Sequence, residues 1–315
     1  MTRPCFTIVM PAYRAERTIG VAISSVLRQS WRDLELIVVD DGSPDGTAAA
    51  ARTAIGDDPR GRILRQANAG PAAARNLGAA SGRGEWIAFL DADDRWAPDA
   101  LAAYAGHFRA APAVGVSFGR IRFYDAALER PGRGSAHLPR VALAQAMAEN
   151  PCCTASNLAV RRSLFAMLGG FDPLLTHAED QEFIVRVLAT TPWLVAGIDA
   201  ELVHYRMSAQ GLSADLDRME AGWRTVMERA RGYTPHAAFT RAEPRARALF
   251  ARYLARRALR TGQPARMAFR HLATALRAHP GALLSGGARR TLLTVAGALA
   301  ALLLPTRLIA PLIAR

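Results

Sequence analysis

Apolar positions in the first hundred residues fall in short blocks separated by polar turns. Phe6 to Met10 is a strand-length apolar run closed by Pro11, and Ile19, Ile23, Val26 and Leu27 then recur at the spacing of one helical face. Leu34 to Val39 is apolar but for one glutamate and stops at the turn-rich DDGSPDG, after which GTAAAARTAI has a helix-forming composition. Arg62 to Gln66 reads as a weaker strand, Pro71 to Ala80 as a helix with proline in its first turn, and Trp86 to Leu90 as another buried strand. Strands alternating with helices predict an α/β arrangement: a mostly parallel, Rossmann-like sheet covered on both faces. Ligands bind such sheets beyond the carboxyl ends of the strands.

From about residue 112 the alternation loses its regularity. VGVSFGRIRFYD reads as an edge-like strand, a loop rich in glycine and proline follows, and SNLAVRR leads into a helix, so the second half of the sheet is expected to be antiparallel or mixed. Residues 216–282 are rich in arginine and alanine and read as a helical region, with two amphipathic helices joined at Gly262. Thr291 to Leu304 carries no charge, yet these fourteen residues, at about 1.5 Å each, fall short of the ~30 Å hydrocarbon core of a bilayer.

Half of the 315 residues are apolar, which suits a globular chain. The 40 basic residues against 27 acidic ones are all arginine, and the surplus favours anionic partners without choosing among them. No zinc spacing, aromatic RNA motif or interpretable recognition helix accompanies the charge, so nucleic acid is not an expected partner. Cys5, Cys152 and Cys153 form neither a disulfide framework nor a metal spacing, and the N-terminus reads as a first strand rather than a signal peptide. Both point to a reducing, cytoplasmic setting.

Carboxylates cluster where strands should end: Asp40 and Asp41, then Asp91, Asp93 and Asp94, and further on Glu179 with Asp180. Any one cluster could simply cap a turn or a helix. Closely spaced carboxylates such as those of LDADD also suit a hard divalent cation, Mg²⁺ or Mn²⁺, which needs only one or two protein carboxylates when a phosphorylated ligand and water complete its shell.

The strings TIVMPAYRAERTIGVAISSVLRQSWRDLELIVVDDGSPDGT, NAGPAAARNLGAASGRGEWIAFLDADDRWAPD and AEDQEF, in that order, resemble the family 2 glycosyltransferases over about residues 5–215. That resemblance implies a GT-A fold and an inverting transfer from a nucleoside diphosphate sugar, UDP-linked first, to a hydroxyl of a glycan or lipid-linked acceptor. It implies that Pro11 and Tyr13 line the nucleoside pocket, that Asp41 accepts a hydrogen bond from the base or ribose, and that Arg75 faces the nucleotide. Asp91 would contact ribose or donor sugar and share with Asp93 the holding of the cation that bridges the diphosphate. Asp180 would be the general base, Glu179 a capping or supporting residue, and Arg206 of HYRMSAQGLS a phosphate contact. Where many members carry a histidine two residues beyond that arginine, this chain has Ser208, and His204 is the alternative nitrogen ligand. Thr154, Ser156 and Asn157 lie where the family builds acceptor-side surface, and GGFDP is a structural turn.

The expected organisation is a nucleotide-sugar-binding half over 1–100, an acceptor-side half over 101–215, a helical extension over 216–282 and an apolar tail over 283–315. Arg289 and Arg290 before the tail, Arg307 and Arg315 after it, and Pro305 and Pro311 within it suit peripheral attachment to the inner face of a membrane. The alternative is docking on the protein's own core. An inactive scaffold of the same fold is the rival functional reading.

Overall fold

The computed structural model describes residues 4–175, 177–207, 216–284 and 288–303. Two compact units divide the chain, one formed by residues 1–141 and 151–209 and the other by 142–150 and 210–315.

The first unit holds a nine-stranded sheet. β1 (Phe6–Ala12), α1 (Ile19–Leu27), β2 (Leu34–Asp40), α2 (Thr47–Ile55), β3 (Gly61–Arg65), α3 (Pro71–Ser81) and β4 (Trp86–Phe89) alternate as the apolar blocks predict. There follow β5 (Arg95–Trp96), α4 (Ala100–Ala110), β6 (Val114–Tyr124), β7 (Pro131–Gly134), a 3₁₀ turn at Ala155–Asn157, β8 (Ala159–Arg161), α6 (Arg162–Met167), α7 (Glu179–Thr190) and β9 (Leu194–Arg206). α5 (Leu143–Ala148) interrupts this run in sequence and belongs to the other unit.

Strand order is β3-β2-β1-β4-β8-β6-β9-β5, with β7 paired to β6. The first four strands are parallel, β8 runs antiparallel to β4 and β6, and β9 runs parallel to β6. The edge-like reading of VGVSFGRIRFYD is therefore corrected: β6 lies between β8 and β9, and Val114 to Gly119 are buried. Its alternation is weak because both faces are covered.

This topology sends the carboxyl ends of β1, β2, β4, β6 and β9 to one margin of the sheet, and the antiparallel β8 delivers its preceding 3₁₀ turn there too. α3 packs directly on β1 and β2: a Cβ on Gly78 would meet Val9 Cγ1 at 2.3 Å, so only glycine permits the approach. Gly42, at φ 70°, makes the turn after β2, where a Cβ would lie 2.9 Å from the Asn68 amide nitrogen. Beneath α7, Phe183 packs on Phe165 and Phe171 at ring separations of 5.3 and 5.4 Å, and Phe89 of β4 completes the group. These fully or nearly fully buried rings fix where the first turn of α7 lies.

The second unit contains α5, α8 (Leu216–Tyr233), α9 (His236–Arg260), α10 (Ala265–Ala278), α11 (Pro280–Leu284) and α12 (Ala288–Ala300). Gly262, at φ 75°, turns the chain between α9 and α10 as the sequence suggests. The boundaries differ from the expected ones in two places. α5 joins the helices because Trp223 Nε1 donates to the Met147 carbonyl and Arg252 pairs with Glu149 at 3.9 Å. α12 joins them through a narrow face of Thr291, Thr294, Gly297 and Ala298, with Thr291 Oγ1 donating to the Leu283 carbonyl. Its large aliphatic residues face outward instead: Leu292, Val295 and Leu299 are exposed, as are Leu302 and Leu303 beyond it. Among the described residues no helix is long and apolar enough to cross a membrane.

Candidate active site

Of the carboxylates expected at strand ends, Asp40 and Asp41 close β2 and Asp91, Asp93 and Asp94 follow β4, whereas Glu179 and Asp180 open α7 with no strand before them, since β8 ends at Arg161 and α6 intervenes. After β2, Asp41 is buried and its carboxylate accepts three hydrogen bonds, from Gln66 Nε2 at 2.7 Å, the Ala69 amide at 2.8 Å and the Gly70 amide at 2.9 Å. Asp40 Oδ1 accepts from the Ser43 amide at 3.0 Å, and Arg65 lies 3.4 Å from Oδ2. A carboxylate accepts about four hydrogen bonds, so Asp41 has room for one more partner. Pro11 is buried in β1 opposite Val39, whereas Tyr13, 46% exposed, reaches solvent with Arg14 over its ring.

The β4 end is built differently. Asp91 Oδ1 accepts from Arg75 Nη2, and its Oδ2 accepts from Thr154 Oγ1 at 3.3 Å. Arg75 Nη1 donates in turn to Glu179 at 2.5 Å, and the charge of Asp180 also bears on this guanidinium. Arg75 is 4% exposed; burial alone would make it less basic, but Asp91 and Glu179 outweigh that and hold its pKa above the ordinary arginine value. One cation thus ties α3, the β4 end and the first turn of α7 together, and Arg75, read from the sequence as facing the nucleotide, has both its Nη atoms on carboxylates. Both terminal nitrogens are engaged by acids, so its part in the site is to position them.

Asp93 and Asp94 point to different surroundings. Asp94 is 1% exposed, accepts from Ser156 Oγ at 2.6 Å and from the Arg206 amide at 2.9 Å, and burial together with Asp93 and Asp91 pushes its carboxyl well above the usual range. Asp93 still reaches solvent, but partial loss of water and the neighbouring Asp91 charge push its carboxyl up to about 6. Arg206 does not neutralise it directly: its Nε donates to the Asp93 carbonyl at 2.7 Å and Nη1 to the Ala126 carbonyl, with no partner among the described residues at Nη2.

Thr154, Ser156 and Asn157 are at most 7% exposed and serve as a scaffold rather than the expected acceptor-side surface. Ser156 Oγ also receives the Asp91 amide at 3.0 Å, while Asn157 pins Gly119 of β6 through its amide and carbonyl, each at 2.8 Å. Asp94, Thr154 and Ser156 as supports of the Asp91 turn escaped the sequence reading; a polar TAS run just before a strand was the one signal for them. Asp180, 7% exposed, lies in the first turn of α7, which Ala178 enters at φ 60°. GGFDP is structural as expected, with Asn76 of α3 exchanging two hydrogen bonds with the Phe171 backbone at 2.8 and 2.9 Å.

His204 is not brought to the aspartates. Its Nδ1 accepts from Arg95 Nε at 3.1 Å and its ring lies against Tyr124, so its lone pair is engaged beside a positive charge, an unfavourable place for a cation. Ser208 and residues 304–315 lie outside the described residues. Among the described residues no three His, Cys, Asp or Glu side chains gather as a metal set. Asp91 and Asp93 nevertheless fit a hard divalent cation completed by phosphate and water: two carboxylates crowd each other, and no side chain of the described residues pairs with that of Asp93.

Comparison with known proteins bears on the family and the fold. Across 102 residues, 32% of this chain and 41% of the relative, the sequence is 42% identical to an uncharacterized glycosyltransferase of Haemophilus influenzae. It is 43% identical over 96 residues, 30% of this chain and 37% of the relative, to the Escherichia coli UDP-Glc:alpha-D-GlcNAc-diphosphoundecaprenol beta-1,3-glucosyltransferase WfgD. The chain therefore spans less than half the length of these curated relatives. Among solved structures, the mannosyltransferase PcManGT from Pyrobaculum calidifontis, in complex with GDP-Man and Mn²⁺, superposes with a TM-score of 0.65 at 23% identity, covering 100% of this chain and 85% of that one. Its mixed α/β architecture is the GT-A fold that this chain shares. Residues 7–169, more than half of the sequence, match the glycosyl transferase family 2 description, and the chain belongs to that family.

Proposed function

We propose that this chain transfers a glycosyl group from a nucleoside diphosphate sugar, UDP-linked first, to a hydroxyl of a glycan or lipid-linked acceptor, with inversion at the anomeric carbon. The observation that carries this reading is the Arg75 bridge, which gathers Asp91 and the first turn of α7 about one buried guanidinium. WfgD, named for a UDP-glucose donor and a diphosphoundecaprenol-linked acceptor, supports the choice of UDP and of a lipid-linked acceptor. PcManGT, solved with GDP-Man and Mn²⁺, supports a diphosphate sugar and a cation.

Asp180 takes the proton from the acceptor hydroxyl while that oxygen bonds to the anomeric carbon. The bond from that carbon to the diphosphate breaks on the opposite side, and its electron pair leaves with the nucleoside diphosphate. A free aspartate, with a pKa of about 3.9, is a weak base for an alcohol, so proton transfer comes late in the displacement. Asp93 and Asp91 would hold Mg²⁺ or Mn²⁺, which supplies positive charge to the departing diphosphate. Arg206 offers to phosphate its Nη2, which has no partner among the described residues, Tyr13 a ring to the base, and Asp41 one remaining acceptor position. Binding both reactants in line removes several kcal/mol of the barrier, about 7 at the lower end for well-oriented groups.

The test is Asp180→Asn. Transfer falls about 10³-fold while cation-dependent UDP binding stays within a factor of three; undiminished turnover rejects the base assignment. A membrane location at the inner face accompanies this reading. The exposed Leu292, Val295 and Leu299 of α12, preceded by the exposed Arg289 and Arg290, suit a helix lying in an anionic lipid surface. Leu292→Gln with Leu299→Gln lowers flotation with vesicles containing phosphatidylglycerol; equal flotation removes α12 from this role.

A further inference from the structure

The outer face of α1 and the β5–β9 pair line an open hollow of about 550 Å³ that has no part in the chemistry above. Its wall carries Val21 and Ser24 from α1, Arg28 just after it, Arg95 and Trp96 from β5, and His204 from β9. Volumes of about 300–1,000 Å³ are typical of small-molecule sites.

Its charge is uncompensated. Arg28 Nη2 donates to Ser24 Oγ and Arg95 Nε to His204 Nδ1, while Arg95 also stands over the Tyr124 ring at 5.6 Å. Neither guanidinium forms an ion pair with a carboxylate among the described residues, and the remaining nitrogens of each stay available as donors. Glu201, whose charge reaches His204, is held by Arg122 instead. Because Nδ1 accepts from Arg95, the neutral imidazole keeps its proton on Nε2 as one more donor. A concavity with two forked cations, a ring N–H and an apolar wall of Val21 and Trp96 selects a tetrahedral anion attached to a less polar body.

We propose that this hollow is a second binding site, for a phosphoryl-bearing ligand, recognised by Arg28 and Arg95 without a metal ion. It differs in kind from the Asp91 and Asp93 site, where acids need a cation between themselves and phosphate. Chelators should therefore leave it intact. The phosphoryl group can belong to a soluble ligand or to a lipid headgroup, and both present the same chemistry to the two guanidinium groups.

Calorimetric titration of the full chain with inorganic pyrophosphate in EDTA tests the site. Wild type binds saturably, Arg28→Gln binds at least tenfold more weakly, and Asp93→Asn binds as wild type does. Gly20→Leu provides a control that keeps both cations. A Cβ there meets nothing within 4 Å, so leucine grows into the hollow, and a helix interior favours it over glycine. This variant also weakens pyrophosphate at least tenfold with an unchanged melting temperature. The same variants assayed on phosphatidate vesicles separate the sources: lost vesicle binding assigns a lipid headgroup, and retained binding a soluble ligand. Wild-type pyrophosphate affinity in both Arg28→Gln and Gly20→Leu, or no saturable binding in EDTA, overturns the proposal. Such a failure leaves the transfer reading untouched, since neither residue touches Arg75 or its acids.

Discussion

Two turns in the sheet unit each carry adjacent aspartates directly after a buried strand. After β2, the Asp41 carboxylate is met by two backbone amides and a glutamine amide, and Asp40 by a backbone amide and Arg65. After β4, Asp91 is held by Arg75, Asp94 is sunk beneath Ser156, and Asp93 is left beside another carboxylate with its own pushed up to about 6. Fixed amide donors fill three of the Asp41 carboxylate's acceptor positions and make it chiefly architecture, with one position left over. A carboxylate facing a carboxylate is short of positive charge, a need that an arriving cation can meet. The same letters, DD and DADD, thus encode a clamp in one turn and a receptor in the other.

Several changes would break or sharpen that contrast. The largest stability effect is expected at Arg75→Met, which leaves Asp91 and Glu179 facing each other without their shared cation. A loss of about 3–5 kcal/mol should lower the melting temperature by roughly 10 °C, and a shift under about 2 °C would show that the bridge contributes little. Arg75→Lys should not restore it, because an ammonium cannot reach both acids as a fork does. Next, UDP with Mn²⁺ at a hundred times its dissociation constant should stabilise wild type by about 2.7 kcal/mol, an increment that EDTA removes and Asp93→Asn cuts to about 1.4 kcal/mol or less. Asp41→Ala strands the three donors at Gln66, Ala69 and Gly70 and should destabilise by about 1–3 kcal/mol in denaturant titration. Asp93→Asn should change stability least, by about 0.5 kcal/mol or less in either direction, while weakening cation-dependent UDP binding at least tenfold. If Asp93→Asn destabilises more than Asp41→Ala, the two turns have been assigned the wrong way round.

The elements of the first hundred residues were legible because each apolar block carries its own period and its own turn residues. Phe6 to Met10, Leu34 to Val39 and Trp86 to Leu90 all became strands of the parallel half. β6 was misread as an edge because its neighbours β8 and β9 come later in the chain. The carboxylates of the site were visible as residues, but their partners were not. Arg75 reaches Glu179 across 104 positions and Asp94 reaches the Arg206 amide across 112, distances over which local periodicity carries no information. For the same reason the bonds of the buried Arg75 to Asp91 and of the buried Ser156 to Asp94 were not legible in the sequence. α5 was assigned to the sheet unit because its six residues offer too little pattern to announce the helices they pack with.

The central claim is that the β4-end aspartates and the first turn of α7 serve one bound donor. It is met most directly by the anomalous scattering of Mn²⁺ in crystals of the full chain grown with a non-hydrolysable UDP-sugar. The account predicts a manganese peak with an Asp93 oxygen in its shell, the diphosphate on that ion, and the Asp180 carboxylate facing the anomeric carbon from the other side. Manganese bound away from Asp93, or an Asp180 turned from the sugar, would contradict it.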